Sequence, residues 1–223
     1  MTVGPDVLAA LVRAVRSAPP RLPGAQAPQP WRRTRLVCVD GPAGSGKTTV
    51  ATQLAVELAC QVVHMDDLYE GWAAGPDGGA ARLRSWVLEP LVAGEVGEYR
   101  RFDWVTGTYA EAHRVEPEPF LVVEGCGAAA RSVDPWAALR VWVEAEDDER
   151  LRRGLARDGV AERAHWLRWM ADEAAHYAAE QTRARADVHL DGFGRPRTTV
   201  QGSTEGPMEG RVEDAVKGSA EVT

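Results

Sequence analysis

The residues with the clearest chemical meaning form one short run near the start of the chain. The pattern G-x-x-x-x-G-K-[ST] is matched by Gly41-Pro42-Ala43-Gly44-Ser45-Gly46-Lys47-Thr48, with a strand-like run before it and a helix-like run after it. Glycines let the backbone wrap so that its N–H groups point at phosphate oxygens, and a helix N-terminus adds its positive dipole. The run predicts a triphosphate-binding loop whose contacts are Gly41, Ala43, Gly44, Ser45, Gly46, Lys47, Thr48 and Thr49.

Lysine is almost absent from the chain outside this loop. Of the 26 basic residues only Lys47 and Lys217 are lysines, and Lys217 lies in a polar C-terminal stretch. An ammonium group at position 47 can reach the β- and γ-phosphates, and the hydroxyl of Thr48 can ligate Mg²⁺. We therefore expect ATP as co-substrate and Mg²⁺ as cofactor, while the choice between ATP and GTP stays open.

Carboxylates follow two other strand-like runs. Glu124 comes after Phe-Leu-Val-Val, and the pair Asp66-Asp67 comes after Gln-Val-Val-His-Met. Because the carboxyl ends of parallel strands meet at one sheet edge, these acids should lie beside the phosphate loop. One can belong to the magnesium shell and another can accept a proton. Adjacent strand residues point in opposite directions, so we expect one of Asp66 and Asp67 to face the substrate. Capping of the following segment is the alternative role.

Arginines and aromatic residues supply further candidates. Arg153 and Arg157 are four residues apart on a predicted helix, so they share a face and can fork onto phosphate oxygens. A solvated salt-bridge face with the acids at 147–149 is the alternative. Trp72 and Trp104 stand in predicted loops near the acids and could stack a planar ring. A longer stripe is interpreted mainly as helix packing: Trp166, Trp169, Met170, Glu173 and Tyr177.

Five short apolar runs must position these groups, at 35–40, 61–67, 120–125, 139–144 and 186–191. Near-continuous apolar strands that alternate with helices are typical of a parallel sheet covered on both faces. We therefore predict a five-stranded parallel sheet between two layers of helices. With the phosphate-loop motif after the first strand, the chain resembles proteins of the three-layer α/β/α P-loop NTPase fold, and this resemblance implies the strand order 2-3-1-4-5. We expect residues 70–80 to form a loop, 80–93 a helix kinked near Pro90, and 94–119 mixed turns.

The chain divides into three segments. Residues 1–34 carry a short amphipathic helix at 5–17 and a linker with five prolines at 18–30. Residues 35–191 hold all the predicted strands and form the kinase-like domain with its lid. Residues 192–223 lose the apolar runs and predict a mostly disordered tail.

In the order of its motifs, residues 35–191 resemble the uridine kinase-like branch of P-loop small-molecule (nucleoside) kinases. The motifs are Met65-Asp66-Asp67-Leu68-Tyr69, Arg101-Phe102-Asp103-Trp104, Val122-Val123-Glu124-Gly125 and the arginine-rich run 150–158. The resemblance implies that Asp66 is the general base for the substrate hydroxyl and that Tyr69 places the substrate. It further implies that Asp103 holds sugar hydroxyls, that Glu124 belongs to the magnesium shell, and that the lid arginines embrace the transferred phosphate.

The expected function is ATP-dependent phosphorylation of a hydroxyl on a small metabolite, with a nucleoside as the first choice. Another acceptor is the nearest alternative: a nucleoside monophosphate, a sugar acid or an antibiotic. A monophosphate would need arginines beyond the lid, for which the candidates are Arg82, Arg84, Arg100 and Arg101. A regulatory nucleotide-binding protein without transferase activity is the alternative from a different class.

Composition excludes several other classes. The formal charge is −7, the residues are 44% hydrophobic, and the isoelectric point is about 5.3, which argues against broad nucleic-acid or anionic-membrane binding. No apolar run approaches the roughly 18 residues of a membrane span. The N-terminus resembles no secretory signal, and three cysteines without metal-ligand spacing indicate reduced thiols. We expect a cytoplasmic protein, either monomer or homo-oligomer.

Overall fold

The computed structural model describes residues 3–22 and 34–197. Most of the predicted linker and nearly all of the predicted tail, residues 23–33 and 198–223, lie outside the described residues. The helices are α1 (Pro5–Ser17), α2 (Lys47–Leu58), α3 (Gly75–Arg82), α4 (Glu89–Ala93), α5 (Asp147–Asp158), α6 (Arg163–Glu180) and α7 (Thr182–Arg185). The strands are β1 (Arg35–Asp40), β2 (Gln61–His64), β3 (Gly97–Asp103), β4 (Thr108–Val115), β5 (Phe120–Glu124), β6 (Ala137–Glu144) and β7 (Val188–Asp191).

Five of these strands form one parallel sheet in the order β2-β5-β1-β6-β7. If only the strands of this sheet are numbered, the order is 2-3-1-4-5, so the predicted fold and topology are confirmed. β3 and β4 are paired with each other in a separate antiparallel hairpin. Within the sheet, Val39 of β1 lies beside Glu124 of β5. The register therefore brings the end of β1, where the phosphate loop begins, next to the carboxylate that ends β5.

The sheet is buried on both faces, which explains why its strands are apolar without a break. Leu36 and Cys38 belong to the apolar cluster that also contains Trp169 of α6. Val37 and Val39 belong to the cluster on the other face, which includes residues of α2 and α1. Because successive strand residues point to opposite faces, both clusters draw on the same short strands. The N-terminal helix α1 is thus part of the domain core, through Leu11, Val15 and their neighbours.

Two local predictions were wrong. Residues 94–119 contain the β3–β4 hairpin, in which charged side chains interrupt the alternation of apolar and polar residues. Part of the glycine-rich segment predicted as a loop forms α3, and the absence of a side chain at Gly79 lets the Tyr69 ring approach within 2.4 Å of where a Cβ would lie. The predicted helix at 80–93 contains a π-helical turn at Leu83–Leu88, directly before the short helix α4 that holds Pro90.

The segment after β7 is described as far as residue 197 and packs against the sheet. The Arg197 N–H donates to the His189 carbonyl at 2.9 Å, and Leu190 forms a bridge with Pro196. The first six residues of the predicted tail, 192–197, therefore lie against the domain. Over the described ranges, no helix is long and apolar enough to cross a membrane.

The contact between α5 and α6 depends on the absence of a side chain at Gly154. A Cβ at that position would lie 2.2 Å from the indole ring of Trp166, which is 1% exposed and donates to Asp158 at 2.9 Å. Gly78 in α3 is a matched control, because a Cβ there would meet its nearest neighbour at 3.5 Å, an ordinary contact.

We expect Gly154→Ala to reduce the free energy of unfolding by about 1–3 kcal/mol through overpacking. Gly78→Ala should raise it by about 0.4–1 kcal/mol, because alanine restricts the unfolded chain. Chemical denaturation of the two variants and the wild type measures both effects. Equal stability of the two variants would contradict the close packing of α5 on α6.

Candidate active site

The phosphate loop joins β1 to α2, and its glycines are required by its backbone. Gly41, Gly44 and Gly46 have φ angles of 142°, 78° and 105°, a region that favours glycine. A Cβ at Gly41 would also lie 2.0 Å from the Val143 carbonyl oxygen of β6. The loop therefore wraps against the sheet edge with α2 beginning at Lys47, as the motif predicts.

A buried carboxylate that the sequence analysis missed anchors this loop. Asp40 accepts hydrogen bonds from the backbone N–H groups of Gly41 (2.7 Å), Gly127 (3.0 Å) and Ala129 (2.8 Å), and from the Tyr177 hydroxyl (2.9 Å). Burial raises the pKa of Asp40, while these hydrogen bonds lower it in part. The available signal was an acid at the end of an otherwise apolar strand, directly before the loop.

Lys47 is buried beneath the loop and kept in its charged form. Its ammonium group donates to the Pro42 carbonyl at 2.9 Å and lies 3.8 Å from the Cys126 sulfur. Burial by itself would lower the pKa of Lys47, but Cys126 and the carboxylates around it, with Glu124 first, raise it overall. The charge needed at the β- and γ-phosphates is therefore held in place by the protein.

Thr48 and Glu124 provide the donor set expected of a magnesium site. The Thr48 hydroxyl donates to Glu124 Oε1 at 3.1 Å, and His64 Nδ1 lies 2.7 Å from the same oxygen. This hydrogen bond to Glu124 raises the pKa of His64. Mg²⁺ in phosphoryl-transfer sites needs only one or two protein oxygens besides waters and phosphates, so a hydroxyl beside a carboxylate fits the ion. Among residues 3–22 and 34–197 no cluster of three His, Cys, Asp or Glu residues competes for that role.

A cavity of about 730 Å³ extends from the phosphate loop to the β3–β4 hairpin. Its loop end is formed by Ala43, Gly44, Gly46, Lys47 and Thr48, together with Glu124. Its far end is formed by Asp66, Asp67, Tyr69, Trp72, Phe102, Trp104, Trp166 and Trp169. The predicted contacts Gly41, Ser45 and Thr49 belong to the loop but do not line this cavity.

Asp66 and Asp67 both line the cavity, which corrects the expectation that only one would. They lie in a 3₁₀ turn after β2 and not on the strand itself, so strand alternation does not separate them. Withdrawal from bulk water raises the pKa of Asp66, and Glu124 adds to this, while Lys47 and Arg157 lower it. The charges around Asp67 are those of His64, His113 and Arg101 instead. The Asp67 carboxylate also accepts the Tyr99 hydroxyl of β3 at 3.4 Å, so Asp67 lies on the hairpin side of the turn.

Aromatic rings make the wall of the far end of the cavity. The centroid of Trp72 lies 5.2 Å from that of Trp104, 6.0 Å from Trp169 and 6.5 Å from Trp166, all edge to face. Tyr69 packs on Trp169 at 4.9 Å and donates its hydroxyl to the Cys126 carbonyl at 2.5 Å. The stripe interpreted as helix packing thus includes two cavity residues, Trp166 and Trp169. Such a wall offers apolar ring surface to a bound molecule.

Asp103 is not brought to the cavity, although its neighbours are. One of its carboxylate oxygens accepts the backbone N–H groups of Val105 (2.9 Å) and Thr106 (3.0 Å) at the hairpin tip. These backbone hydrogen bonds lower the pKa of Asp103. The residue therefore caps the turn, which is a common role of aspartate. Trp104, next in sequence, reaches the cavity and donates its indole N–H to the Asp66 carbonyl at 2.9 Å.

The two predicted lid arginines have different surroundings. Arg157 lines the cavity, with its guanidinium forked onto Asp158 at 2.7 and 3.0 Å. Arg153 lies behind the phosphate loop and donates to the carbonyls of Gly44 (3.2 Å) and Ser45 (3.4 Å). The structure thus brings Arg157 to the cavity and places Arg153 against the backbone of the phosphate loop.

Comparison with known proteins agrees with this arrangement. The AAA domain family matches residues 37–178, which is more than half of the chain. No curated protein gives a significant match. A solved structure described as a possible uridine kinase from Bacillus stearothermophilus aligns with a TM-score of 0.58 and 19% identity, covering 83% of this chain and 98% of that one.

A second solved structure, a candidate fructose transport system kinase from Silicibacter sp. TM1040, aligns with a TM-score of 0.53 and 22% identity. The alignment covers 78% of this chain and 93% of that one. These similarities show a shared fold, and they confirm at that level the resemblance to uridine kinase-like P-loop proteins. The chain belongs to the AAA domain family of P-loop proteins.

Proposed function

We propose that the chain is an ATP-dependent kinase that transfers a phosphoryl group to a hydroxyl of a small metabolite, with a nucleoside as the best candidate. The observation that carries the proposal is that Asp66 and the phosphate loop face one cavity. An acceptor hydroxyl can lie there between the carboxylate and the nucleotide. The kinase-like fold of the structural relatives supports the same reaction class.

Each residue has a role in this reaction that follows from its position. Phosphoryl transfer depends on positioning and charge stabilisation more than on covalent chemistry. Lys47 and the loop amides hold the triphosphate, and Mg²⁺ held by Thr48 and Glu124 would neutralise charge on its oxygens. Asp66 accepts the proton of the acceptor hydroxyl, and Arg157 stabilises charge on the transferred group.

The charges at the far end of the cavity favour an acceptor that is not an anion. Arg101, the arginine at the hairpin end of the cavity, is held by Glu111 at 2.7 and 3.1 Å, so its charge already has a partner. The adjacent acids of the 3₁₀ turn face the same space. Three other arginines considered for a monophosphate do not line this cavity: Arg82, Arg84 and Arg100. This arrangement argues against nucleoside monophosphates and sugar acids.

The aromatic wall favours an acceptor with a flat or apolar ring. A base attached to a sugar would place its ring against Trp72 and Trp104 while a sugar hydroxyl approaches Asp66. An antibiotic alcohol with a ring of similar size fits the same description and stays as the second candidate. A regulatory nucleotide binder would not need a carboxylate in the cavity, so Asp66 favours the enzyme.

A panel of acceptors, followed by ADP release with MgATP, tests the proposal. We expect turnover with neutral ring-bearing alcohols such as nucleosides, and little with nucleoside monophosphates or sugar acids. Trp72→Ala should raise the KM of the best acceptor by about tenfold, since base–aromatic stacking is worth about 1–3 kcal/mol per base. Lys47→Ala is the control that abolishes transfer. If the best substrates are anionic, the assignment of the acceptor is wrong.

Replacing each acid by its amide distinguishes the role of Asp66 from that of Asp67. Asp66→Asn keeps size and hydrogen bonding but removes the base, so kcat should fall by about 10²–10⁴ with MgATP still bound. Because the pKa of Asp66 is raised, wild-type kcat/KM should already fall as the pH drops towards that raised value. Asp67→Asn should cost less. Near wild-type turnover in Asp66→Asn with a dead Asp67→Asn would reverse the roles.

We expect the loss of Arg157 and the loss of Arg153 to change different kinetic constants. Arg157→Ala should lower kcat by about 10²-fold, as when one preorganised charge donor is removed, with a small change in the KM for ATP. Arg153→Ala should mainly raise the KM for ATP, because the loop carbonyls at 44 and 45 lose their donor. Steady-state kinetics on both variants gives the comparison. Identical kinetic profiles would indicate a shared salt-bridge role instead.

A further inference from the structure

Glu173 of α6 is a buried acid whose two oxygens are both occupied. It is 1% exposed. Its Oε1 pairs with Arg150 Nη1 at 2.5 Å, and its Oε2 accepts the Ala43 backbone N–H at 2.8 Å and the Trp169 indole N–H at 3.1 Å. The Cys126 thiol donates to the same oxygen at 3.3 Å. One carboxylate thus joins the phosphate loop, the segment after β5 and the aromatic wall.

Arg150 of α5 binds the same loop residue, Ala43, through the carbonyl group of that residue. Its Nη1 donates to the Ala43 carbonyl at 3.1 Å, and its Nη2 pairs with Asp147 at 2.7 Å. The guanidinium is 5% exposed. Ala43 is therefore held through its N–H by the anion and through its C=O by the cation of one buried ion pair.

An ion pair of this kind is poorly explained by stability alone. Removing two charges from water costs as much as their attraction returns, so a buried pair is often no more stable than apolar residues of the same volume. Its geometry is nevertheless highly directional, because a guanidinium fork and a carboxylate fix the groups they bind. Here the ion pair fixes the backbone N–H and C=O of Ala43, a residue of the loop that must wrap the triphosphate.

The same face of α6 makes a second contact with the loop. Tyr177 lies one helical turn after Glu173, and its single hydroxyl proton is shared between Asp40 at 2.9 Å and the Gly41 carbonyl at 2.6 Å. Alternate loop residues, 41 and 43, are thus held by side chains four positions apart on one helix. Nothing in the phosphate loop itself supplies these contacts, because its own side chains are small.

We propose that Arg150 and Glu173 are positioning residues that set the phosphate loop in its nucleotide-binding shape. The inference rests on the proposed binding of MgATP by this loop, and it does not depend on the identity of the acceptor. Neither side chain needs to touch the nucleotide, since both act through the Ala43 peptide.

The test compares MgATP affinity with thermal stability in matched variants. Glu173→Gln removes the charge, and the double variant Arg150→Met/Glu173→Leu removes the pair without leaving a lone buried charge. The control is Asp134→Asn, which breaks the ion pairs of Asp134 with Arg140 (2.8 Å) and Arg185 (2.5 Å) away from the loop. Calorimetric titration with MgATP well below the melting temperature gives the Kd of each protein.

We expect Glu173→Gln and the double variant to raise the Kd of MgATP by about tenfold or more, as for loss of a hydrogen bond to a charged group. Asp134→Asn should lower the melting temperature and leave the Kd unchanged. A folded double variant with wild-type MgATP affinity would overturn the proposal.

The proposal stays testable if the Glu173 variants do not fold. If both Glu173 variants unfold, Arg150→Lys decides it, because lysine keeps the charge but lacks the fork that reaches Ala43 and Asp147 together. A Kd raised severalfold in Arg150→Lys supports the proposal, and an unchanged Kd contradicts it. Failure of the wild type to bind MgATP would instead contradict the proposed function, so the two failures are distinguishable.

Discussion

Four hydrogen-bond donors converge on the carboxylate of Asp40, and the arrangement of the sheet edge that carries the phosphate loop depends on this convergence. The donors come from the phosphate loop, from the segment after β5 and from α6. A buried carboxylate is costly unless its oxygens are satisfied, so these three segments must come together around it. The strand that carries Asp40 lies at the centre of the sheet, and the segment after its neighbour β5 supplies two of the four donors.

The electrostatics of the site follow from this crowding of acids at one edge. Asp40, Glu124 and Glu173 all act on Lys47, and they hold its proton in a buried position. Asp66 experiences the opposite effect, because Glu124 and withdrawal from water resist its ionisation. Glu124 thus acts on both groups, because its charge raises the pKa of Lys47 and the pKa of Asp66. The loop that binds the anionic triphosphate is therefore set among carboxylates, and Lys47 and the loop amides supply its attraction.

The parts predictable from sequence are those whose signal is local. The phosphate loop is a contiguous motif, and the five parallel strands are short apolar runs that alternate with helices. Asp103 shows where local signal fails, since an aspartate at a turn has the same sequence pattern whether it binds a sugar or caps a hairpin. The role of Glu173 is even harder to predict from the sequence, because its partner Ala43 lies 130 positions away along the chain. The available sequence signal was the acid itself, because a carboxylate within a stripe of apolar helix residues is poorly explained by helix packing alone.

Helix α6 contributes both to the aromatic wall of the cavity and to the support of the phosphate loop. This double role affects which residues can change if the acceptor changes. Trp72 and Trp104 lie outside the parallel sheet, and they contact other aromatic rings and the Asp66 carbonyl. Substitutions at these two positions should therefore leave the phosphate loop unchanged. Trp169 is different, because its indole N–H is bound to the carboxylate that holds Ala43. Natural or laboratory evolution of new acceptors should therefore proceed first at the hairpin and the Trp72 segment. Trp169 is expected to be the wall position that changes last.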